Sequence, residues 1–308
     1  MKIMITGAGG FVGKHLVNYL IQNEFEVVGV TSNTAERTEN NDFKLYSLND
    51  FISGKVALKN VSSLIHLAGA AHAEFTDKEA KDINVTLTEK VLKKVRDSGI
   101  KQFIFLSTAN VNGFDCKQSQ NSALSKENFV NTVKTKYEAE KKIKANLEST
   151  NCNFVIIRSP LIYGEGVKAN FASLLNLVNK GFPLPLRNVT HNRRSMVSVY
   201  NLVDLIRNCV VNPNANNQTF LVSDDNDLST AKTIELMSKA LGKSDFSLPV
   251  PVWFLKWIGK LLKKEEVVDR LTGSFELDIT HTKNTLNWKP PYSVDHGFRL
   301  ATKNFKSK

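Results

Sequence analysis

Two overlapping residue pairs in the segment FVNTVKTKYEAEKKI, residues 129–143, could carry chemistry: Tyr137 with Lys141, and Thr132 with Lys136. A phenol and an ammonium one helical turn apart can move a proton. The cation lowers a tyrosine pKa from its ordinary value of about 10 toward neutrality. A threonine hydroxyl beside a lysine can bind but cannot exchange a proton near pH 7. At the start of the chain, MITGAGGFVG sets Gly7, Gly10 and Gly13 between an apolar run and an amphipathic one, with Phe11 and Val12 inside the turn. Glycines there allow backbone N–H groups to approach a pyrophosphate, and a helix N-terminus adds a favourable field for that anion. The three cysteines, Cys116, Cys152 and Cys209, show no metal-ligand spacing, and no metal is expected.

The elements that must hold these groups follow from periodicity. KIMIT, EVVGVT, SSLIHLAG, KQFIFLST and NFVIIRS read as buried strands. Helical stretches fall between them, at FVGKHLVNYLIQ, about 78–97 and about 126–148. Alternation of this kind implies right-handed crossovers and a doubly wound parallel sheet. In the helix at 126–148, Phe129, Val133, Lys136, Glu140, Ile143 and Leu147 form one largely apolar stripe, with Thr132 beside it. That stripe should face the sheet. Val130, Lys134, Tyr137, Lys141 and Lys144 form the other, a face suited to solvent. The expectation is therefore that Thr132 and Lys136 point inward, with Tyr137 kept as the alternative proton donor.

The 308 residues suit one large domain or two joined ones, and an apolar fraction of 42% with 23% charged residues is ordinary for a globular protein. The net charge of +11 is spread along the chain, and no nucleic-acid motif accompanies it, so nucleic acid is not expected as a partner. No apolar run approaches the ~20 residues that span a bilayer, and the strand directly after Met1 leaves no room for a signal peptide, so a cytoplasmic location is expected. PVWFLKWIGKLLKK is aromatic, amphipathic and basic, the makeup of an interfacial helix. A packed helix with a lysine-rich outer face is the favoured reading, and membrane contact is not expected.

Several motifs in order resemble the extended short-chain dehydrogenase/reductases of the NAD-dependent epimerase/dehydratase family. They are TGAGGFVG (6–13), HLAGAAH (66–72), Asn84 in INVTLTEKV, FLSTANVNG, PLIYGEGVKANF and RRSMVSVYNLVDLI. The resemblance implies a Rossmann doubly wound α/β sheet with a smaller, mostly helical C-terminal substrate domain. It places NAD(P) on residues 1–165, with a return of the chain at about 196–223, and the sugar nucleotide on residues 166–308. The family pattern Tyr-x-x-Ser-Lys-x-x-Ala-Glu fits TVKTKYEAE when Thr132 takes the tyrosine place and Lys136 the lysine place. It makes Thr108 the catalytic hydroxyl, with Ser107 the nearest alternative. It assigns the cofactor to Gly7, Gly10, Phe11, Val12, Gly13, Thr31, Ser32, Asn33, Arg37, Leu67, Ala68, Gly69 and Lys136, and the substrate to His72, Asn110, Lys168, Asn170, Arg194 and Arg270.

An acid at the end of the second strand would bind the NAD ribose. Here VTSNTAER offers Thr31, Ser32, Asn33 and Arg37 instead, which favours NADP over NAD. The resemblance is strongest to bacterial enzymes acting at C4 of UDP-N-acetylhexosamines. Reduction of a UDP-4-keto-6-deoxy-N-acetylhexosamine for surface polysaccharide is the leading expectation. Its alternatives are a UDP-sugar 4-epimerase and, because Thr132 replaces the tyrosine, an impaired binder of both ligands. Relatives often form homodimers through the helices at about 78–97 and 126–148; the basic outer stripe of the second argues against that contact here.

Overall fold

The computed structural model describes residues 1–32, 43–69, 75–112 and 127–303. Seven strands form one parallel sheet: β1 (Lys2–Thr6), β2 (Glu26–Thr31), β3 (Lys44–Ser47), β4 (Val61–His66), β5 (Gln102–Thr108), β6 (Asn153–Ser159) and β9 (Gln218–Leu221). Their order is β3-β2-β1-β4-β5-β6-β9, so the chain reverses direction across the sheet between β1 and β4. Such a switch point opens a crevice at the carboxyl ends of the strands, where ligands bind in sheets of this kind. The central strands are apolar on both faces, as a sheet covered on both sides requires. Sequence periodicity misses β3 and β9. Both are four residues long, at the sheet edges, and only partly buried.

Helix α1 (Phe11–Gln22) covers one face, together with α7 (Val199–Val211) from much later in the chain. The other face carries α2 (Leu48–Ser53), α4 (Leu87–Arg96) and α5 (Glu127–Leu147). Helix α3 (Asp77–Lys81) runs into α4 through a π-helical turn, Asp82–Thr86, that contains Asn84. Beyond β6 a two-stranded parallel ribbon, β7 (Leu161–Tyr163) with β8 (Met196–Ser198), brackets α6 (Ala169–Asn179). The remaining helices, α8 (Thr230–Leu241), α9 (Val252–Leu261), α10 (Glu265–Thr272), α11 (Thr280–Leu286) and α12 (Val294–Ala301), fill the C-terminal part. Asp224 joins ribbon to helix: it accepts from Tyr163 Oη at 2.7 Å, Ser198 N at 2.9 Å and Asn201 Nδ2 at 2.7 Å. Burial raises its carboxyl pKa, and these three bonds act against that rise.

Helix α5 has the face its sequence implies. Val133, Lys136, Ala139, Glu140, Ile143 and Leu147 are buried, with Thr132 and Thr135 alongside. Lys134, Lys141 and Lys144 are exposed and Tyr137 half-exposed, with Lys141 Nζ 4.7 Å from the centre of the Tyr137 ring. The helix is fixed to the sheet by an ion pair that sequence reasoning does not reveal. Arg158, on β6, donates to Glu140 through Nη2 at 2.6 Å and Nε at 3.2 Å, and through Nη1 to Asn112 Oδ1 at 2.9 Å. Removing one partner of a buried pair leaves an uncompensated charge. Glu140→Ala should therefore lower unfolding stability by about 3–5 kcal/mol, and Glu140→Leu with Arg158→Met should recover most of the loss, as urea titration would show.

Candidate functional site

The glycine turn lies where β1 meets α1. Gly7 has φ +80°, a left-handed conformation that favours glycine, and a Cβ there would stand 2.8 Å from the backbone nitrogen of Ala68. A Cβ on Gly13 would stand 2.2 Å from the carbonyl oxygen of Gly7. Glycine is needed at 7 for the loop after β4 to come close, and at 13 for α1 to pack on its own preceding turn. This packing gathers Gly7, Gly10, Phe11, Val12, Gly13, Leu67, Ala68 and Gly69 at the carboxyl edge of the sheet. Thr31 is buried at the end of β2 and Ser32 is exposed beside it. Asn33, Arg37 and His72 lie outside the described residues.

Beneath these loops His66 is fully buried. Thr88 donates its hydroxyl proton to the Asn84 carbonyl at 2.7 Å, so it accepts from His66 Nε2 at 3.1 Å. The other ring nitrogen, Nδ1, then accepts from Thr6 Oγ1 at 2.5 Å. Burial first, and the Lys136 charge second, hold the His66 pKa down to about 3. It is a neutral strut between β1, β4 and the helix at 87–96.

Lys136 reaches across to the same edge. Its Nζ donates to the Leu106 carbonyl at 3.1 Å and sits 4.5 Å from the centre of the Phe105 ring. A Cβ on Gly69 would come within 2.4 Å of that nitrogen, so the ammonium fills the space a side chain would take. Burial, opposed only in part by Glu140, lowers the Lys136 pKa to about 8. Asn84, in the π-helical turn, donates through Nδ2 to Thr135 Oγ1 at 3.0 Å, and so ties that turn to α5 one residue before the lysine. Turns of this kind recur at functional sites, and sequence periodicity cannot place them.

Thr108 ends β5. Its hydroxyl oxygen accepts from Asn110 N at 3.3 Å and Asn110 Nδ2 at 3.1 Å, which leaves its own proton to donate. Ser107, one residue earlier, projects to the opposite face, and its buried hydroxyl has no partner among the described residues. Toward the C-terminal part, Arg194 donates through Nη1 to the carbonyls of Arg270 at 2.8 Å and Gly273 at 3.1 Å. Burial, and then Arg270, lower its pKa. The Arg270 charge thus acts on the Arg194 guanidinium, and two such groups suit an anion with several oxygens. Arg193 instead bonds the carbonyls of Thr190 and Asn192. Lys168 occupies the N-cap position of α6 without a side-chain capping bond, and Asn170 is the second residue of the helix; both are exposed, so Asn170 is not the cap.

The fold and this edge define a dinucleotide-binding α/β protein whose lysine comes from a helix laid across the sheet. Comparison with known proteins narrows the class. Residues 3–222 match the model of the NAD dependent epimerase/dehydratase family, and the chain belongs to that family. A UDP-glucose 4-epimerase of Vibrio cholerae is 41% identical over 99% of this chain and 95% of its own length. An N-acetyl-alpha-D-glucosaminyl-diphospho-ditrans,octacis-undecaprenol 4-epimerase of Escherichia coli O157:H7 is 25% identical over 96% of this chain and 92% of its own length. Among solved structures, the UDP-glucose 4-epimerase of Thermotoga maritima with UDP-glucose superposes with a TM-score of 0.76, at 20% identity, over 100% of this chain and 99% of that one. Seven parallel strands with flanking helices are the shared fold.

The buried lysine makes a prediction of definite sign. Its folded pKa of about 8 lies below its ordinary value of 10.5, so between those pH values the unfolded chain binds more protons. Stability relative to a Lys136→Met variant should therefore rise as pH goes from about 8 to 10.5, and be level below that window. Paired urea titrations at pH 7, 9 and 10.5 would measure it; a falling difference would mean that the folded chain favours the ammonium.

Proposed function

We propose that this protein is a 4-epimerase of a UDP-hexose that works with NAD and turns over slowly because Thr132 stands in the tyrosine position. The observation that carries the reading is the full-length likeness to a UDP-glucose 4-epimerase at 41% identity. The reductive alternative draws on Thr31, Ser32 and Asn33, which stand at the end of β2 in place of an acid, and a dTDP-4-dehydro-6-deoxyglucose reductase of Escherichia coli is 20% identical. NAD is favoured over NADP by the family description and by a similar structure, at 19% identity, that carries NAD.

The residues present fit a dinucleotide. Gly7 and Gly13 let the turn fold tightly at the α1 N-terminus, whose N-cap, Gly10, brings no capping side chain, and such a terminus suits a pyrophosphate. Bound there, NAD supplies a hydride acceptor and donor. This chain's own groups bind and orient around it. Lys136 holds ribose hydroxyls with its ammonium, Thr108 donates to the C4 oxygen of the sugar, and Arg194 with Arg270 holds the diphosphate. The proton is the weak point. A threonine hydroxyl has too high a pKa to exchange it near neutrality, and absence of a positioned general acid costs about 10²–10⁴-fold.

The test follows UDP-galactose formed from UDP-glucose, and UDP-N-acetylgalactosamine from its acetylated counterpart, in native protein, Thr132→Tyr and Tyr137→Phe. Thr132→Tyr should raise kcat by about 10²–10⁴-fold. Tyr137→Phe should leave it unchanged, and loss of activity there would make Tyr137 the proton donor. Epimerisation by none of the three, with NADPH consumed on a UDP-4-keto-6-deoxy sugar, would replace the reading with the reductive one. Gly69→Ala should leave the fold intact, because the Cβ displaces chiefly the end of the Lys136 side chain and shifts Asn84 Oδ1, 3.2 Å away, by a few tenths of an ångström. Moving the ammonium should weaken NAD binding by roughly 10–100-fold in calorimetry, the loss of one charged hydrogen bond.

A further inference from the structure

Helix α9 packs on the C-terminal core with its lysines outward, but its packed side is narrow. Only Leu255 and Gly259 are buried. Gly259 packs so closely on α10 that a Cβ would lie 2.7 Å from Val268, which closes the two helices into a hairpin. The aromatic side is turned outward. Trp253 is 71% exposed, Trp257 57%, Leu261 68% and Leu262 60%. Trp253, Trp257 and Leu261 follow one another at steps of four and so form a single apolar ridge. Phe254, half-buried, stacks on Trp257 at 5.7 Å and stiffens it. An apolar ridge of this size in water is unfavourable unless something covers it.

The charges around the ridge indicate what the cover is. Lys256 and Lys260 are exposed along its flank, and Lys263 and Lys264 stand at its end. No acid occurs between residues 252 and 264; Glu265 and Glu266 begin the next helix. A second copy of this chain related by a two-fold axis would bring lysines against lysines. Tryptophans suit the boundary of a bilayer, with lysines held at the level of anionic headgroups.

We propose that α9 docks this protein on an anionic membrane surface, with the tryptophans seated among the headgroups and the lysines on the phosphates. Docking is peripheral: among the described residues no helix is long and apolar enough to cross a membrane. It is independent of the sugar chemistry proposed above. The same hairpin carries Arg270, whose carbonyl accepts from Arg194, so the docked surface adjoins the diphosphate end of the candidate site.

The experiment is co-sedimentation of the full chain with vesicles of phosphatidylglycerol and phosphatidylcholine, beside vesicles of phosphatidylcholine alone. Tryptophan emission is read on the same samples. Two of the three tryptophans lie on the ridge and the third, Trp288, is buried, so the spectrum reports the ridge. Native protein should sediment with the anionic vesicles only, with a blue shift of emission. Trp253→Ser with Trp257→Ser, and separately Lys256→Glu with Lys260→Glu, should each cut the bound fraction by about tenfold or more, with melting temperature unchanged. Absence of binding to anionic vesicles would overturn the proposal. So would binding that both double variants retain, since the overall positive charge would then suffice. Native protein that elutes as a dimer, converted to monomer by the tryptophan variant, would also overturn it and assign the ridge to a second copy.

Discussion

The arrangement of the site depends on one costly placement: an ammonium held in the protein interior at the carboxyl edge of the sheet. Lys136 is buried on a helix otherwise committed to the core, with the Leu106 carbonyl and the face of Phe105 as its nearest partners. The Glu140 charge offsets only part of the desolvation, and the lowered pKa is the remainder. A cation in that position is useful where an electron-rich ligand comes to it. Much of the surrounding structure serves to keep it there. Glu140 and Arg158 pin the helix, and Asn84 joins it to the next one. Gly69 leaves the space into which the nitrogen extends.

That constraint also explains the outward residues of the same helix. A 3.6-residue period cannot turn Lys136 and Tyr137 to one side. With Lys136 inward, Tyr137 goes to the flank, where Lys141 lies over its ring. Thr132, one turn before Lys136, comes inward with it. The Tyr-x-x-x-Lys spacing is genuine in the sequence, but the core claims the other register. The hydroxyl that shares the inward face with Lys136 is thus Thr132, and the phenol of Tyr137 lies outside it.

Two neighbourhoods have a common logic. His66 and Asp224 are both buried polar groups satisfied on every side, and each ties together elements far apart in sequence. Such networks fix a unique arrangement because a half-satisfied version is worse than none. One sets the height of the loop after β4; the other sets the ribbon from which the C-terminal part grows. Helix α9 stands apart from them, joined to the rest by a thin apolar contact and left open on its aromatic side.

The amino-acid sequence specified the sheet core, the glycine turn and the inward face of the helix at 127–147, because each is a local pattern: an apolar run, a glycine spacing, a 3.6-residue stripe. It did not reveal β3 or β9, whose four residues each carry too little periodicity to stand out at a sheet edge. It named Asn84, Thr108, Arg194 and Arg270 through motifs, yet not what they touch. The hydroxyl proton left to Thr108 depends on Asn110, and the meeting of Arg194 with Arg270 spans 76 residues. The Glu140–Arg158 pair and the tautomer of His66 were equally out of reach, since their partners come from separate strands and helices. In α9 the stripe packs through Leu255 and Gly259 and the lysines are outward, as the pattern implies, but the exposed tryptophans were not legible in it. An amphipathic stripe reads the same whether it meets a core or a lipid surface, and only the tertiary structure shows which side the rest of the chain has covered.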